Sequence, residues 1–428
     1  MDKYKKSIAL LKKARELTPL GAQTYSRSFR YFGEGYGPSF IERGKGCKVW
    51  DIDGNEYIDF VCALGPITIG YNDERVNEAI IKQLEKGIIF SQPSPISIEL
   101  AEKLVDIIPC AEMVRFVKNG SDATEAAVRL ARAYTGRDMI VVCGYHGMHD
   151  WYIGSTANHR GIPEQIRQLT KSVDYNNIEA LESLLSEYKG QIAGIILEPI
   201  QGNGPEEGYL QKLRQLTQKN GVVLIFDEVV SGFRYALGGA SELYNVAPDL
   251  IAFGKGMANG MPISAVAGKK EIVDLISEGV FVSTTFGDET LSMAAALKTI
   301  KILVDEKAFD KFWTLGNLMQ EGIQRLLLKN GLEEVLVTHG LAPHQGLVFN
   351  GIRDLSYLDI NSIFQQKMLE EGILSLGINN INLSHSQNEI KTYLDVADMG
   401  MGDIKKAIAA NSIKSILKGE KIDPIFKR

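Results

Sequence analysis

Residues 222–227 read Val-Val-Leu-Ile-Phe-Asp, and Glu228 follows. Five apolar residues in a row suit a strand buried on both faces, and Asp227 marks the point where the chain leaves the apolar layer. A carboxylate there is costly to bury unless it meets a partner. That partner is a protonated heterocyclic nitrogen, an arginine, a metal, or the N–H groups of the next turn. Working outward, the same grammar recurs in VRFV (114–117), MIVVC (139–143), IAGIILE (192–198) and LIAF (250–253). Segments such as ERVNEAIIKQLEK, SIELAEKLVDII and TEAAVRLARAYTG alternate with these runs and repeat their apolar residues at helical spacing. The pattern predicts an α/β fold with a large, mostly parallel sheet and ligands at the carboxyl ends of its strands.

Ahead of this region, KVWDIDGNEYIDF (48–60) reads as a β-hairpin turning at Asp53-Gly54. Beyond about residue 290 comes one long helical stretch, then short strands around VLVTHG and GLVFNG, then a final helix near 401–418. The expected organisation is an N-terminal helix and hairpin (1–60) packing with the small domain, a large domain (61–310) and a smaller α+β domain (311–428).

The chain has 428 residues, 47 Lys+Arg, 53 Asp+Glu and a net charge of −6. That balance, with no basic run, argues against a nucleic-acid partner. Four separated cysteines form no CxxC pair, which fits a reducing compartment and supplies no zinc site. No apolar run is long enough to span a membrane. The N-terminal residues, with Ile8, Leu10 and Leu11 among lysines, read as an amphipathic surface helix and not a signal sequence. A cytoplasmic location is expected.

Four strand ends carry candidate chemistry. Asn119-Gly120-Ser121-Asp122 opens a helix, where free N–H groups and the positive helix end form a phosphate cradle; the same residues also make an ordinary helix cap. Asp227 is the second. The third is Lys255 between Gly254 and Gly256, a lysine with little bulk around it and suited to Schiff-base chemistry, or else a solvated loop residue. The fourth is Gly144-Tyr145-His146-Gly147-Met148-His149-Asp150, where Tyr145 could stack on a flat cofactor. His146, His149 and Asp150 suggest a metal only weakly, because a glycine-broken loop lacks the helical face of HExxH, and no metal is expected. Taken together, an anion cradle, a strand-end carboxylate, a glycine-flanked lysine and a loop aromatic are what pyridoxal 5'-phosphate (PLP) requires.

At these residues the chain resembles the class III PLP-dependent aminotransferases, and within them the branch containing glutamate-1-semialdehyde 2,1-aminomutase. The likeness runs from about Thr18 toward the C-terminus through WDIDGNEYIDF, Gly65-Pro66, RLARAYTGRD, GYHG, LEPIQGN, LIFDEVVSGFR, APDLIAFGKGMANGMPISAVAG and SHSQNEI. It implies a fold-type I homodimer with active sites at the subunit interface. It further implies catalytic roles for Lys255 (the Schiff-base lysine and proton carrier), Asp227 (the partner of the pyridine nitrogen) and Tyr145 (the stacking ring). Gly120 and Ser121 match the phosphate turn with Asp122 beside it, and Val229 would support the opposite ring face. Thr285 matches the threonine that reaches the neighbouring subunit's cofactor. Glu198 and Asn203 fall near cofactor and substrate, and Arg27 or Arg30 would grip a substrate carboxylate.

The departures concern substrate. The branch's Ser-Gly-Asn-Pro after the threonine is replaced by Gly287-Asp288-Glu289 after Phe286, its tryptophan before Gly-Pro by Leu64, and its C-terminal acidic residue by the region of Asn379-Asn380. The expected activity is therefore transfer of an amino group from an amino donor to a small polar carbonyl acceptor, such as a sugar or another biosynthetic intermediate. The alternative is the aminomutase reaction that makes 5-aminolevulinate. A nucleotide-binding oxidoreductase fits poorly, because the glycine run 202–208 contains Pro205 and two acids and does not match GxGxxG. Retention of both Lys255 and Asp227 argues against a cofactor-bearing scaffold without catalysis.

Overall fold

The computed structural model describes residues 2–423. They divide into two compact units, one made of residues up to 64, 69–73 and 310 onward, the other of 65–68 and 74–309.

In the first unit, strands β1 (Ile41–Lys45), β2 (Lys48–Asp51) and β3 (Glu56–Asp59) form antiparallel pairs. The β2–β3 hairpin turns at Asp53-Gly54, where Gly54 has φ 93°. Asp51 holds the turn by accepting hydrogen bonds from the Asp53 and Asn55 amides at 3.0 and 2.8 Å. Strand β1 is additional to the sequence reading; its residues Ile-Glu-Arg-Gly-Lys carry too little apolar pattern to announce it.

The second unit carries the main sheet: β4 (Met113–Val117), β5 (Met139–Cys143), β6 (Thr170–Ser172), β7 (Ile192–Leu197), β8 (Val223–Asp227), β9 (Leu250–Phe253) and β10 (Ser264–Gly268). Their spatial order is β4-β10-β9-β8-β7-β5-β6. Strands β5 to β9 are parallel, and β10 lies antiparallel to both β9 and β4. Every residue of β5, β7, β8, β9 and β10 is buried, and in β5, β7, β8 and β9 this is why the strands read as unbroken apolar runs. Strands β6 and β10 escape that reading. The first is short and polar, and the second, Ser-Ala-Val-Ala-Gly, has low β-propensity and is held by neighbours on both sides.

The first unit resumes with β11 (Leu336–Leu341), β12 (His344–Phe349), β13 (Ile373–Leu374) and β14 (Ile378–Asn380). Strand β13 joins β3 in parallel, while β11, β12 and β14 form a separate antiparallel sheet. The long helical stretch proves to be two helices, Thr290–Asp305 and Ala308–Asn330, separated where Lys307 turns left-handed at φ 49°. The last helix spans Gln387–Ala410 and not 401–418. A capping box of Ser386 and Glu389 starts it, and Asn411 at φ 47° ends it.

One turn departs from ordinary backbone. Cys62, Ala63 and Leu64 all have positive φ (51°, 55° and 73°), and Gly65 continues at 101°. Each non-glycine residue there costs about 1–2 kcal/mol. The Asp59 carboxylate, 2 % exposed, offsets this by accepting the amides of Val61 at 2.7 Å and Cys62 at 3.0 Å and the Tyr71 hydroxyl at 2.5 Å.

Candidate active site

Because β4, β5, β7, β8 and β9 all point the same way, their carboxyl ends lie along one edge of the sheet. Strand β8 ends on Asp227, which is buried. Its Oδ2 lies 2.8 Å from His146 Nδ1, and its Oδ1 accepts the Val229 amide at 3.1 Å. A carboxylate has no hydrogen to give, so Nδ1 of His146 carries the proton of this bond. The His146 ring is buried, lies nearly parallel to Trp151 at 6.4 Å and meets Tyr152 edge-on at 5.2 Å. Sequence reading weighs His146 only as a metal ligand; its place one residue after Tyr145, in the same glycine-bounded loop, is the signal that it serves the same site.

Just past β9, Lys255 has φ 35°, outside the comfortable range for a side-chain-bearing residue. The preceding Gly254 has no room for a methyl group, since a Cβ there would stand 2.6 Å from Ser264 Oγ. Burial holds the Lys255 pKa below the usual lysine range; Glu198 and Asp227 pull it back up, and Arg234 pushes it further down. The lysine turn is braced from behind by Thr68, whose hydroxyl donates to Gly256 O at 3.0 Å and whose amide donates to Asn259 Oδ1 at 3.1 Å.

Glu198 follows β7 and accepts the Tyr145 amide at 2.9 Å. Burial raises its pKa, and Asp227 adds to the rise. Tyr145 itself is 43 % exposed and packs edge-on to Tyr152 at 5.6 Å. Beside it, Glu228 is fully buried and accepts hydrogen bonds from Ser231 Oγ at 2.6 Å, Ala240 N at 2.8 Å and Ser241 N at 2.9 Å. Burial pushes its pKa up to about 7.

After β4, the helix Gly120–Thr135 begins at Asn119. Asp122 turns back to accept the Asn119 amide at 2.8 Å and its Nδ2 at 3.1 Å, and the first amides of the helix have no acceptor within it. Ser121 Oγ accepts the Met148 amide at 3.2 Å, and Thr124 Oγ1 donates to His146 O at 2.8 Å. His149 completes the attachment, with Nδ1 3.3 Å from Glu125 and Nε2 3.6 Å from Asp122. The Tyr145 loop is thus stitched to the first two turns of this helix. A Cβ on Gly120 would stand 2.7 Å from Val229 Cγ1, so only glycine lets the helix start approach this valine.

Gly120, Ser121, Asp122, Tyr145, Glu198, Asp227, Val229 and Lys255 are therefore gathered by direct contacts or facing charges at one set of strand ends. Asn203 lies exposed between two left-handed glycines on the loop after Glu198. Thr285 is exposed on a turn closed by Gly287 N donating to Thr284 O at 3.0 Å. The two arginines of the first unit differ in their partners. Arg27 Nη2 donates to Ala63 O in the left-handed turn at 3.0 Å, whereas Arg30 faces Asp423 at 3.4 Å.

These features fit a phosphorylated pyridine aldehyde. The helix start suits the phosphate, and Asp227 held by His146 suits the ring nitrogen. Val229 and the Tyr145 ring suit the two faces of the ring, and Lys255 has a lowered pKa within reach of the Asp227 and Glu198 charges. Nε2 of His146 is buried with no hydrogen-bond partner among the described residues, which marks this polar pocket as built around more than its own side chains. Fold and site together define a fold-type I PLP-dependent transferase.

The aminotransferase class-III signature matches residues 31–380, and the chain belongs to that family. It is 40 % identical over 337 residues to 3-aminobutyryl-CoA aminotransferase of Cloacimonas acidaminovorans, covering 77 % of this chain and 80 % of that one. It is 34 % identical over 425 residues to glutamate-1-semialdehyde 2,1-aminomutase of Natranaerobius thermophilus, covering 93 % and 98 %. Among solved structures, FumI of Sphingopyxis sp. MTA144, determined in a PLP form, superimposes with a TM-score of 0.87 at 27 % identity, covering 95 % and 98 %. The protein is a PLP-dependent aminotransferase or aminomutase. No helix among the described residues is long and apolar enough to cross a membrane.

Proposed function

We propose that the protein is an aminotransferase moving an amino group from a small amino donor to a small polar carbonyl acceptor, with the nitrogen leaving the donor molecule. The observation that supports it most directly is the Asp227–His146 pair at 2.8 Å with Lys255 at the neighbouring strand end. When bound, PLP supplies an aldehyde that captures amines and a ring that takes up electrons. Asp227, oriented by His146 Nδ1–H, would hold a proton at the ring nitrogen. Lys255 Nζ, its pKa lowered by burial, would accept a proton from the substrate carbon and return it one position along. Gly120 and Ser121 amides would bind the phosphate, with Asp122 shaping the turn. Tyr145 and Val229 would enclose the ring, and Glu198 and Asn203 would border it.

Arg27 is the better candidate for a substrate carboxylate, since Arg30 faces Asp423. The 40 % identity to an enzyme named for a 3-amino acyl thioester puts 3-oxoacyl compounds first among acceptors, with keto sugars second. The aminomutase reading retains support from the 34 % identity across nearly the whole chain.

The working form is read as a cytoplasmic homodimer in which Thr285 of one subunit completes the cofactor site of the other. Exposed Ile81, Leu84, Ile88, Phe90, Phe281 and Phe286 supply apolar surface for such an interface. The four described cysteines are buried and free, consistent with a reducing compartment.

The test is a half-reaction screen. Candidate amines are added to PLP-loaded protein while the cofactor absorbance is followed, first without and then with a carbonyl acceptor. An amine that shifts the spectrum stoichiometrically, with recovery only on adding acceptor, is the expected result. Steady conversion of glutamate-1-semialdehyde to 5-aminolevulinate without an acceptor would overturn the transaminase reading in favour of the aminomutase.

A further inference from the structure

Lys118 sits between the end of β4 and Asn119, directly before the helix start read above as the phosphate cradle. Its Nζ lies 2.9 Å from Glu289 Oε2 and 3.4 Å from Ser292 Oγ. Both charged side chains are largely shielded, at 15 % and 12 % exposure. Glu289 in turn starts the helix Thr290–Asp305, accepting the Leu291 amide at 2.6 Å and the Ser292 hydroxyl at 2.5 Å. It also ends the turn that carries Thr285, its own amide donating to Phe286 O at 3.2 Å. Next to it, Asp288 accepts the Ser94 amide at 3.1 Å. On the other side, the Lys118 carbonyl accepts Ser264 Oγ from β10 at 3.4 Å, and Ser264 is the residue that bars a side chain at Gly254, one position before Lys255.

One shielded ion pair thus ties the phosphate helix to the Thr285 turn, while the Lys118 backbone separately meets the β10 residue behind the lysine. A shielded pair of this kind is expensive to break from one side only, because the remaining charge is left poorly solvated. Glu289 stands where the resemblance led to a neutral Asn-Pro turn, and Lys118 lies opposite it at 2.9 Å.

We infer that Lys118 and Glu289 are positioning residues for the cofactor's phosphate: the pair fixes the helix start at Gly120 relative to the Thr285 turn without itself touching the cofactor. The inference rests on the reading of Gly120–Ser121 as the phosphate cradle. Its consequence is selective. Loosening the pair weakens the hold on the phosphate more than the ring site, whose Asp227–His146 bond lies on β8 and the loop after β5.

The test uses Lys118→Met, which leaves the Glu289 helix cap in place, with Lys118→Arg as the conservative rescue. Cofactor-free protein is titrated with PLP and, separately, with pyridoxal, which lacks the phosphate; thermal stability of the cofactor-free variants is measured alongside. The expected result is roughly tenfold weaker PLP binding in Lys118→Met, the size typical of residues coupled to a site through others. Pyridoxal affinity falls by no more than about twofold and Lys118→Arg restores PLP binding. Equal losses for PLP and pyridoxal, tracking a loss of thermal stability, would show a merely structural pair and overturn the inference. Unaltered PLP binding in Lys118→Met would overturn it as well. The underlying cradle reading fails separately and visibly: in that event the unmodified protein itself binds pyridoxal as tightly as PLP.

Discussion

Replacing Gly120 with alanine probes the closest approach in the site. The added Cβ would stand 2.7 Å from Val229 Cγ1 and 3.1 Å from Cγ2, whereas ordinary contact begins at 3.4 Å, so the valine must retreat by about 0.7 Å. Val229 is not free to do so at no cost, because its amide is bonded to Asp227 Oδ1 at 3.1 Å. Overpacking of this kind costs about 1–3 kcal/mol. If the strain falls on the bound state, PLP affinity drops roughly 5- to 150-fold. Stability of the cofactor-free protein should change by less than ~1 kcal/mol, since alanine is otherwise the better helix residue. The assay is PLP titration followed by absorbance, paired with urea unfolding of the cofactor-free form. Gly136→Ala is the control: with φ 64° and open space around its Cβ, it should lose fold stability through backbone strain and keep PLP affinity. PLP binding within twofold of the parent in Gly120→Ala would refute the claim that this glycine sets the distance between helix start and ring face.

His146→Phe keeps a ring against Trp151 but leaves Asp227 Oδ2 without its 2.8 Å donor; turnover should fall at least tenfold with folding retained by circular dichroism, and near-parent turnover would remove His146 from the machinery. Glu228 should make stability pH-dependent. Its pKa is raised from 4.5 to about 7 on folding, so its contribution is fully present below about pH 4.5 and is lost as pH rises through about 7, a swing on the order of 3 kcal/mol. Glutamine stays neutral and lacks this dependence, so the parent's urea midpoint should fall relative to that of Glu228→Gln as pH climbs from 5 to 8, and parallel curves would contradict this. His149→Gln should loosen the Tyr145 loop. The His149 pKa is raised, chiefly by its hydrogen bond to Glu125, so the clip is strongest at low pH and fades as pH rises through that value; Arg129 and Asp122 share the same surroundings. Amide exchange at residues 145–149 should be faster in the variant at pH 6 and similar to the parent at pH 9.

The strands beside the candidate site are legible because burial on both faces forces an unbroken apolar run, and each run stops at a candidate residue or the loop that carries one: Asp227 after Phe226, Glu198 after Leu197, the Gly144–Tyr145 loop after Cys143. What stayed hidden depends on neighbours and not on pattern. Strand β10 is built from Ser, Ala, Val and Gly, residues chosen for close approach: Gly268 has φ 152°, and a Cβ there would stand 2.3 Å from Asp249 O. His146 could not be paired with Asp227 because the two are 81 residues apart and meet only through the parallel order of β5, β7 and β8. The final helix begins earlier than the apolar pattern predicts because its start is a Ser386–Glu389 capping box ahead of a stretch with many polar residues. Arg27 and Arg30 have similar sequence surroundings, and only their different partners separate them.

The lone antiparallel strand carries a consequence for biosynthesis. Strand β4, which leads into the phosphate helix, has β10 as its neighbour within the sheet. Residues 113–117 emerge from the ribosome well before residues 264–268, and until the later segment arrives the earlier one has no partner to hydrogen-bond. Vitamin capture by a nascent chain should therefore switch on abruptly, in stalled translation products long enough to expose β10, and be missing from all shorter ones.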